Sequence, residues 1–328
     1  MGSKYKVVIT DHRFPNVDIQ REVLSQIGAE LVVGQAQTEE EIIAIAKDAH
    51  GILNARSKIT EKVINALTSC KIMVRYGVGV DTIDIAAATR KGIMVSNVLD
   101  YCVDEVSDHA LALIMALTRK VVFSARRVRA GEWSVANLKP LKRLSGQTLG
   151  VVGFGRIGRE LARKASPIGF NILVYDPYVD EKSVAQPGFK LASFEELIKG
   201  SDVISLHSPL TAETKGMIGK QQIEMMKPNA YIVNVSRGSL IDEGALIDAL
   251  NAGRIAGAGL DVMIDEPAKP DNPLLKMEQV IVTSHTAFYS DEAIQELQKK
   301  AAEKVAATLS GKIPDPLVNP EVLIPSRH

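Results

Sequence analysis

Two cysteines among 328 residues, Cys70 and Cys102, are too few for a disulfide framework, and their spacing fits no metal motif. No apolar run approaches the roughly 20 residues that a bilayer-spanning helix needs. The chain enters an apolar strand at 6–10 with no signal-like segment before it, so no membrane partner and a cytoplasmic location are expected. Charge of one sign is also missing: 39 Lys and Arg face 39 Asp and Glu, which leaves no electrostatic footprint for nucleic acid. The basic cluster at 119–129 follows an apolar helical pattern and reads as a solvated complement to that helix's C-terminal dipole. The six histidines show no His-Glu-x-x-His spacing, and no metal is expected. What is present, 46% hydrophobic and 24% charged residues, is the composition of a globular protein long enough for two domains.

Short apolar runs alternate with helix-period segments along the chain, the pattern of parallel sheets covered by helices. Strands are expected at 6–10, 30–33, 51–54, 72–76 and 93–96, with helices at 18–26, 39–47, 60–67 and 83–91. This is a five-stranded, flavodoxin-like unit. A long apolar helix then starts at Val103, with Asp104 and Glu105 in its first turn, an apolar stripe running to Val121, and Arg119 and Lys120 late. Seven further strands follow, at 148–153, 171–175, near 190–191, 203–207, 231–235, 257–262 and 280–283. The helix at 291–309 is more than this second sheet needs and is expected to return to the first domain, ahead of an extended tail marked by Pro314, Pro316 and Pro320. The fold class is therefore α/β with two doubly wound parallel-sheet domains: a discontinuous flavodoxin-like substrate domain (1–99 and 290–328) and a Rossmann dinucleotide-binding domain (100–289).

The Rossmann assignment rests on Leu149-Gly-Val-Val-Gly-Phe-Gly-Arg-Ile-Gly158 and on Asp176, which ends the next apolar run. Gly153 permits a tight turn, Gly155 lets a pyrophosphate approach the backbone, and Gly158 lets helix and strand pack closely. Unpaired amides at the helix start face the phosphates. The Asp176 carboxylate arrives about 20 residues later, where a ribose 2′-hydroxyl needs an acceptor. That carboxylate would repel a 2′-phosphate, and no Arg or Lys stands at 177–181 to receive one, so NAD is expected over NADP.

Three later strand ends carry Arg237, Glu266 and His285, and ligands of doubly wound sheets gather at such ends. Reducing a keto group takes a hydride, a proton donor and a cation that holds and polarises the substrate. A histidine titrates near neutral pH and donates the proton; a carboxylate beside it orients the ring; an arginine grips a carboxylate in a forked geometry. Singly, an arginine after a strand reads as a surface residue and a glutamate before proline as a turn. Their coincidence with a nucleotide loop gives the set its meaning.

The chain resembles the D-isomer-specific 2-hydroxyacid dehydrogenase family over essentially its full length. The likeness is carried by Arg75-Tyr-Gly-Val-Gly-Val-Asp-Thr-Ile-Asp84, the glycine loop with Asp176, Leu206-His-Ser-Pro-Leu-Thr211, Asn234-Val-Ser-Arg-Gly238, Gly259-Leu-Asp-Val262, Glu266-Pro267 and His285. The resemblance implies that His285 is the acid/base, Glu266 its partner and Arg237 the substrate anchor. It implies cofactor contacts from Gly153, Gly155, Arg156, Ile157, Gly158, Asp176, His207, Ser208, Pro209, Val235 and Ser236, with Asp261 on the nicotinamide carboxamide. Substrate contacts are implied for Arg75, Tyr76, Gly77, Val78 and Gly79, with the carboxylate on backbone amides around Val78 and Gly79. A homodimer through the second domain is implied as well. Arg56-Ser57 is similar to an Arg-Ser pair of phosphoglycerate dehydrogenases, which bind an anionic substrate. The segment after His285 is similar to the C-terminal-binding-protein branch, with Phe288 where that branch has Trp; the resemblance implies that this aromatic shapes the substrate pocket. Ser284 stands where many relatives have Pro, and Met263 where an aromatic is common. Formate dehydrogenases resemble the chain less, with Gln at the place of Glu266.

The expected activity is NAD-dependent interconversion of a small 2-keto acid and a D-2-hydroxy acid. The alternative is an NAD(H)-sensing dimeric scaffold like the C-terminal-binding-protein corepressors. The intact Arg237, Glu266 and His285 set favours the enzyme.

Overall fold

The structure is a computed structural model and describes residues 4–324; Met1–Ser3 and Pro325–His328 lie outside the described residues. The chain divides into two units, Met1–Cys102 with Ser290–His328, and Val103–Tyr289.

The first unit alternates β1 (Tyr5–Ile9), α1 (Asp18–Ser25), β2 (Ala29–Val33), α2 (Glu39–Ala46), β3 (Gly51–Asn54), α3 (Glu61–Ala66), β4 (Ile72–Arg75), α4 (Ile85–Arg90) and β5 (Met94–Ser96). Its strands are all parallel in the order β2-β1-β3-β4-β5, the flavodoxin-like order. Helices cover both faces, so the inner strands are continuous apolar runs: Val7, Val8 and Ile9 are wholly buried, as is all of β3. The capping chemistry is local. Thr38 and Glu41 form a reciprocal capping box on α2, and Asp84 caps α4 through the amide of Ala87.

The C-terminal helix (Asp291–Leu309) packs on α1, β3 and β4 within this unit. Val305 comes so close to β3 that a side chain at Gly51 would meet its Cγ1 at 2.8 Å. Leu297, Ala301 and Val305 are buried as the apolar pattern predicts, and buried Gln298 adds a bond to the Gln20 side chain at 3.1 Å. The tail after this helix does more than extend. Buried Asn319 accepts from the Val95 amide and donates to the Ile93 carbonyl, and the Val318 amide bonds the Val95 carbonyl, which covers the edge of β5. A short 3-10 turn, Pro320–Leu323, follows.

The second unit holds α5 (Val103–Thr118), α6 (Val121–Arg129), β6 (Thr148–Val152), α7 (Arg156–Ala165), β7 (Asn171–Tyr175), β8 (Phe189–Leu191), α8 (Phe194–Gly200), β9 (Val203–Leu206), α9 (Lys220–Met225), β10 (Tyr231–Asn234), α10 (Glu243–Asn251), β11 (Gly257–Leu260) and β12 (Val280–Val282). Its seven parallel strands run β12-β11-β10-β9-β6-β7-β8. Strand order reverses at β6, so a crevice opens beyond its carboxyl end.

The long apolar helix differs from the sequence expectation. It stops at Thr118 rather than reaching Val121, because Lys120 takes a left-handed conformation (φ 53°) and α6 starts afresh. Arg126, Arg127 and Arg129 therefore lie in the last turn of their own helix, where Arg127 pairs with Glu132 and Glu278 and sits over the Phe123 ring. Among the described residues no helix is long and apolar enough to cross a membrane, and no group of three or more His, Cys, Asp or Glu gathers as a metal site.

Candidate active site

The glycine loop leaves β6 through Gly153 (φ 91°), whose missing side chain admits the backbone of the His207–Ser208 segment: a Cβ would lie 2.7 Å from the His207 carbonyl carbon. Gly158 is equally constrained, since a Cβ there would stand 2.1 Å from the Gly153 carbonyl oxygen. Gly155 is different. It precedes α7, has no side-chain cap, and a Cβ on it would meet nothing within 4 Å. The loop therefore presents open space beside the first amides of a ten-residue helix, where a phosphate fits. Arg156 opens α7 exposed, Ile157 is half-buried and Gly158 buried.

Asp176, just past β7, ties into the same loop. Its Oδ2 accepts from the Phe154 amide at 2.8 Å and its Oδ1 from the Tyr178 amide at 2.9 Å. Each oxygen keeps a further acceptor site, and a ribose diol would find the carboxylate already oriented. On the other side of β6, His207 lies beyond β9 with its Nε2 2.9 Å from Ser205 Oγ. Burial pushes its pKa down to about 4, so it is neutral near pH 7. Ser208 is buried and Pro209 exposed; the Ser236 hydroxyl donates to the Ser208 carbonyl at 2.5 Å, which links the ends of β9 and β10.

Beyond β10 the wholly buried Asn234 shapes the next turn, donating to the Arg237 carbonyl at 2.8 Å and accepting from the Ser236 amide at 3.0 Å. Val235 is buried in that turn. Gly238 then packs directly on the 263–264 backbone, since a Cβ would lie 2.1 Å from the Met263 carbonyl carbon. This contact joins the Arg237 turn to the loop that carries Glu266. Arg237 Nη1 donates to the Ser236 carbonyl, which holds the guanidinium near its own turn.

Glu266 uses both oxygens: Oε1 accepts from the Met263 amide at 3.2 Å, and Oε2 lies 2.6 Å from His285 Nδ1. The pair is partly open to solvent, with side-chain exposures of 27% and 28% for His285 and Glu266. His285 itself has φ 55°, a left-handed conformation that a non-glycine residue keeps only when its surroundings impose it. Phe288 meets the imidazole edge-on, with ring centroids 6.1 Å apart.

Asp261 is 1% exposed and fastens the His285 loop. Its Oδ1 accepts from the Thr283 hydroxyl (2.6 Å) and the Thr286 amide (2.9 Å), its Oδ2 from the Ala287 amide (2.9 Å), and its carbonyl from the His285 amide (2.8 Å). His109, on α5, reaches this cluster with Nε2 3.0 Å from Thr283 Oγ1. The sequence offered no sign of that contact beyond a histidine on a buried helix.

The remaining expected residues belong to the first unit. Arg56 is exposed, on a loop fastened by Asp11: Oδ2 accepts from the Arg56 amide (2.7 Å), and Oδ1 from the Ala55 amide (3.1 Å) and the Ser57 hydroxyl (2.6 Å). Burial opposes the charge on Asp11, but the bonds from Ser57, Arg56 and Ala55 outweigh it and hold the carboxyl below its ordinary value. Asp11 is a second residue that motif reading missed; its place just past β1 was the available signal. Tyr76 points inward, its hydroxyl accepting from Gln20 and its ring meeting Phe14 edge-on. The Arg75 guanidinium lies against Gly77 (φ 128°), where a side chain would collide with Nη1. Both residues thus brace the 76–79 loop. The Asn97 side-chain amide holds the Val78 carbonyl, and Val78 and Gly79 stay partly exposed.

A doubly wound sheet with a glycine loop at its switch point puts this chain among the dinucleotide-binding α/β proteins. The family follows from the match of residues 111–287 to the NAD-binding domain of the D-isomer specific 2-hydroxyacid dehydrogenases, to which the chain belongs. It is 42% identical over 287 residues to a glyoxylate reductase of Korarchaeum cryptofilum (86% of each chain). It is 40% identical over 285 residues to a D-3-phosphoglycerate dehydrogenase of Archaeoglobus fulgidus, covering 87% of this chain and 54% of that protein. The chain thus spans about half the length of the phosphoglycerate dehydrogenases it matches. Among solved structures, D-lactate dehydrogenase from Aquifex aeolicus in complex with NAD and lactic acid superposes with a TM-score of 0.84 at 30% identity, over 93% of this chain and 96% of that one.

Proposed function

We propose that this protein is an oxidoreductase that uses NAD to interconvert a small 2-keto acid and the D-2-hydroxy acid, with His285 as acid/base. The observation that carries the reading is the 2.6 Å contact between His285 Nδ1 and Glu266 Oε2, at the strand end next to that of Arg237 and in the same sheet as the glycine loop. Glu266 accepts from Nδ1–H, which leaves Nε2 to carry the proton that the substrate oxygen receives. As the imidazole alternates between cation and neutral form, the same carboxylate stabilises the cation. Arg237 binds the substrate carboxylate and stabilises charge building on the carbonyl oxygen. A bound reduced nicotinamide supplies the hydride; with the proton from His285, it completes the two-electron reduction of the keto group to a hydroxyl.

The space beside Gly155, the α7 amides and the carboxylate of Asp176 suit NAD. The side chains at 177–181 offer no cation for a 2′-phosphate, so NAD is assigned over NADP. Asp261 already accepts three side-chain or amide donors on its carboxylate, and its remaining Oδ2 site is assigned to the carboxamide. We assign the backbone amides of the partly exposed residues Val78 and Gly79 to the substrate carboxylate and the exposed Arg56 to an anionic substrate group. The relatives' names, glyoxylate reductase and D-3-phosphoglycerate dehydrogenase, set the first keto acids to try. A homodimer through the second unit is supported by the apolar surface of its 121–135 segment: Val121, Val128, Trp133 and Val135 are 57%, 44%, 90% and 75% exposed.

The test is NADH oxidation over glyoxylate, hydroxypyruvate, its 3-phosphate, pyruvate and 2-ketoisocaproate, with chiral analysis of the product. The D-hydroxy acid from at least one of them is expected. An L product, or NADH-driven association with no turnover of any, would sink the assignment, the latter in favour of a scaffold.

A further inference from the structure

α5 packs against β11, the strand that leads to Asp261. A side chain at Gly259 in β11 would stand 3.1 Å from Leu117 Cδ1 and 3.2 Å from Leu113 Cβ, so helix and strand meet at a position with no side chain between them. Residues four apart share a helix face, and residues two apart share a face of a strand. The register that seats Leu113 over Gly259 therefore brings His109, one turn earlier, over Asp261, two residues further along. His109 Nε2 lies 3.0 Å from Thr283 Oγ1 and 3.5 Å from Asp261 Oδ1.

The hydrogens in this cluster have one arrangement. A threonine hydroxyl has a single hydrogen, and that of Thr283 goes to Asp261 Oδ1 at 2.6 Å. Toward His109 the hydroxyl can only accept, so His109 carries its hydrogen on Nε2. That N–H in turn keeps the hydroxyl from rotating away from the carboxylate. Asp261, thus held, grips the amides of Thr286 and Ala287, which flank the left-handed His285 on its C-terminal side.

We propose that His109 is a positioning residue: through Thr283 and Asp261 it fixes the backbone conformation in which His285 meets Glu266. The functional part of this inference rests on the reading of His285 as acid/base; the structural part is measurable without it.

The experiment combines amide hydrogen exchange of the ligand-free protein with kinetics, on His109→Leu, His109→Gln, Thr283→Val and the Leu–Val double variant. Loss of the relay should speed exchange at Thr286 and Ala287 about tenfold in His109→Leu and in Thr283→Val, while Phe154 in the glycine loop stays unchanged. His109→Gln places an amide hydrogen near the same point and should return exchange to within about twofold of wild type. In turnover, kcat should fall about tenfold in the Leu variant with the NADH dissociation constant within about twofold, and the double variant should be no slower than either single one. Unchanged exchange at Thr286 and Ala287 in His109→Leu, a Gln variant no better than Leu, or losses that multiply in the double variant would overturn the proposal. If no 2-keto acid oxidises NADH at all, the function assignment fails while the exchange result still decides the relay.

Discussion

A buried carboxylate that gathers several donors from one loop fixes that loop's path, and two do so here, Asp11 and Asp261. Asp11 takes two amides and a hydroxyl from the segment 55–57, and it also lies within reach of the Thr10 hydroxyl. Its carboxyl is held below the ordinary value of 3.8, so its contribution to stability is present above that pH and lost as pH falls through the lowered folded value. Asp11→Asn should therefore cost about 2 kcal/mol at neutral pH, from the loss of charge-assisted bonds. Denaturant midpoints should show the gap to wild type closing below about pH 4. A gap that stayed constant down to acid pH would mean that shape, not charge, matters at this position. Neither fastener was legible as one beforehand. The bonds that define them join residues far apart in the chain, Asp11 to Arg56 across 45 positions and Asp261 to Ala287 across 26, and no local pattern records such a pairing. His285 and Glu266 were legible because proton chemistry restricts the residue types that serve it.

Within single elements, the glycine loop separates two reasons for a glycine. Gly158 is required by packing, with a carbonyl oxygen 2.1 Å from any added Cβ, whereas a Cβ on Gly155 would meet nothing within 4 Å. Gly158→Ala should lower unfolding stability by roughly 1–3 kcal/mol through overpacking. Gly155→Val should leave the thermal midpoint nearly unchanged and weaken NADH binding at least about tenfold by filling the phosphate's place. Calorimetry beside fluorescence titration reads both; equal behaviour of the two variants would refute the division. Strands and helices of both sheets were legible because parallel strands buried on two faces leave unmistakable apolar runs. The break between α5 and α6 was not. It turns on Lys120, a residue with no intrinsic preference for the left-handed region it occupies, so the apolar stripe reads straight through it.

For the whole molecule, the 121–135 segment of the second unit carries exposed apolar side chains among the described residues. Trp133 at 90% exposure is the clearest member. Contiguous exposed apolar surface marks interaction sites. Light scattering should give twice the chain mass for the wild type and a shift toward the single-chain mass for Trp133→Glu with its circular dichroism intact; a wild-type monomer would contradict the dimer. The substrate was never legible, since the residues that would choose it, Arg56 and Phe288, carry shape and charge without naming a molecule.

Whether His285 supplies the proton is decided by comparing wild type with His285→Ala for both NADH binding and turnover of whichever 2-keto acid the wild type reduces. An unchanged NADH dissociation constant with kcat lower by about 10²–10⁴-fold is expected. Wild-type turnover by His285→Ala with intact NADH binding would contradict that role.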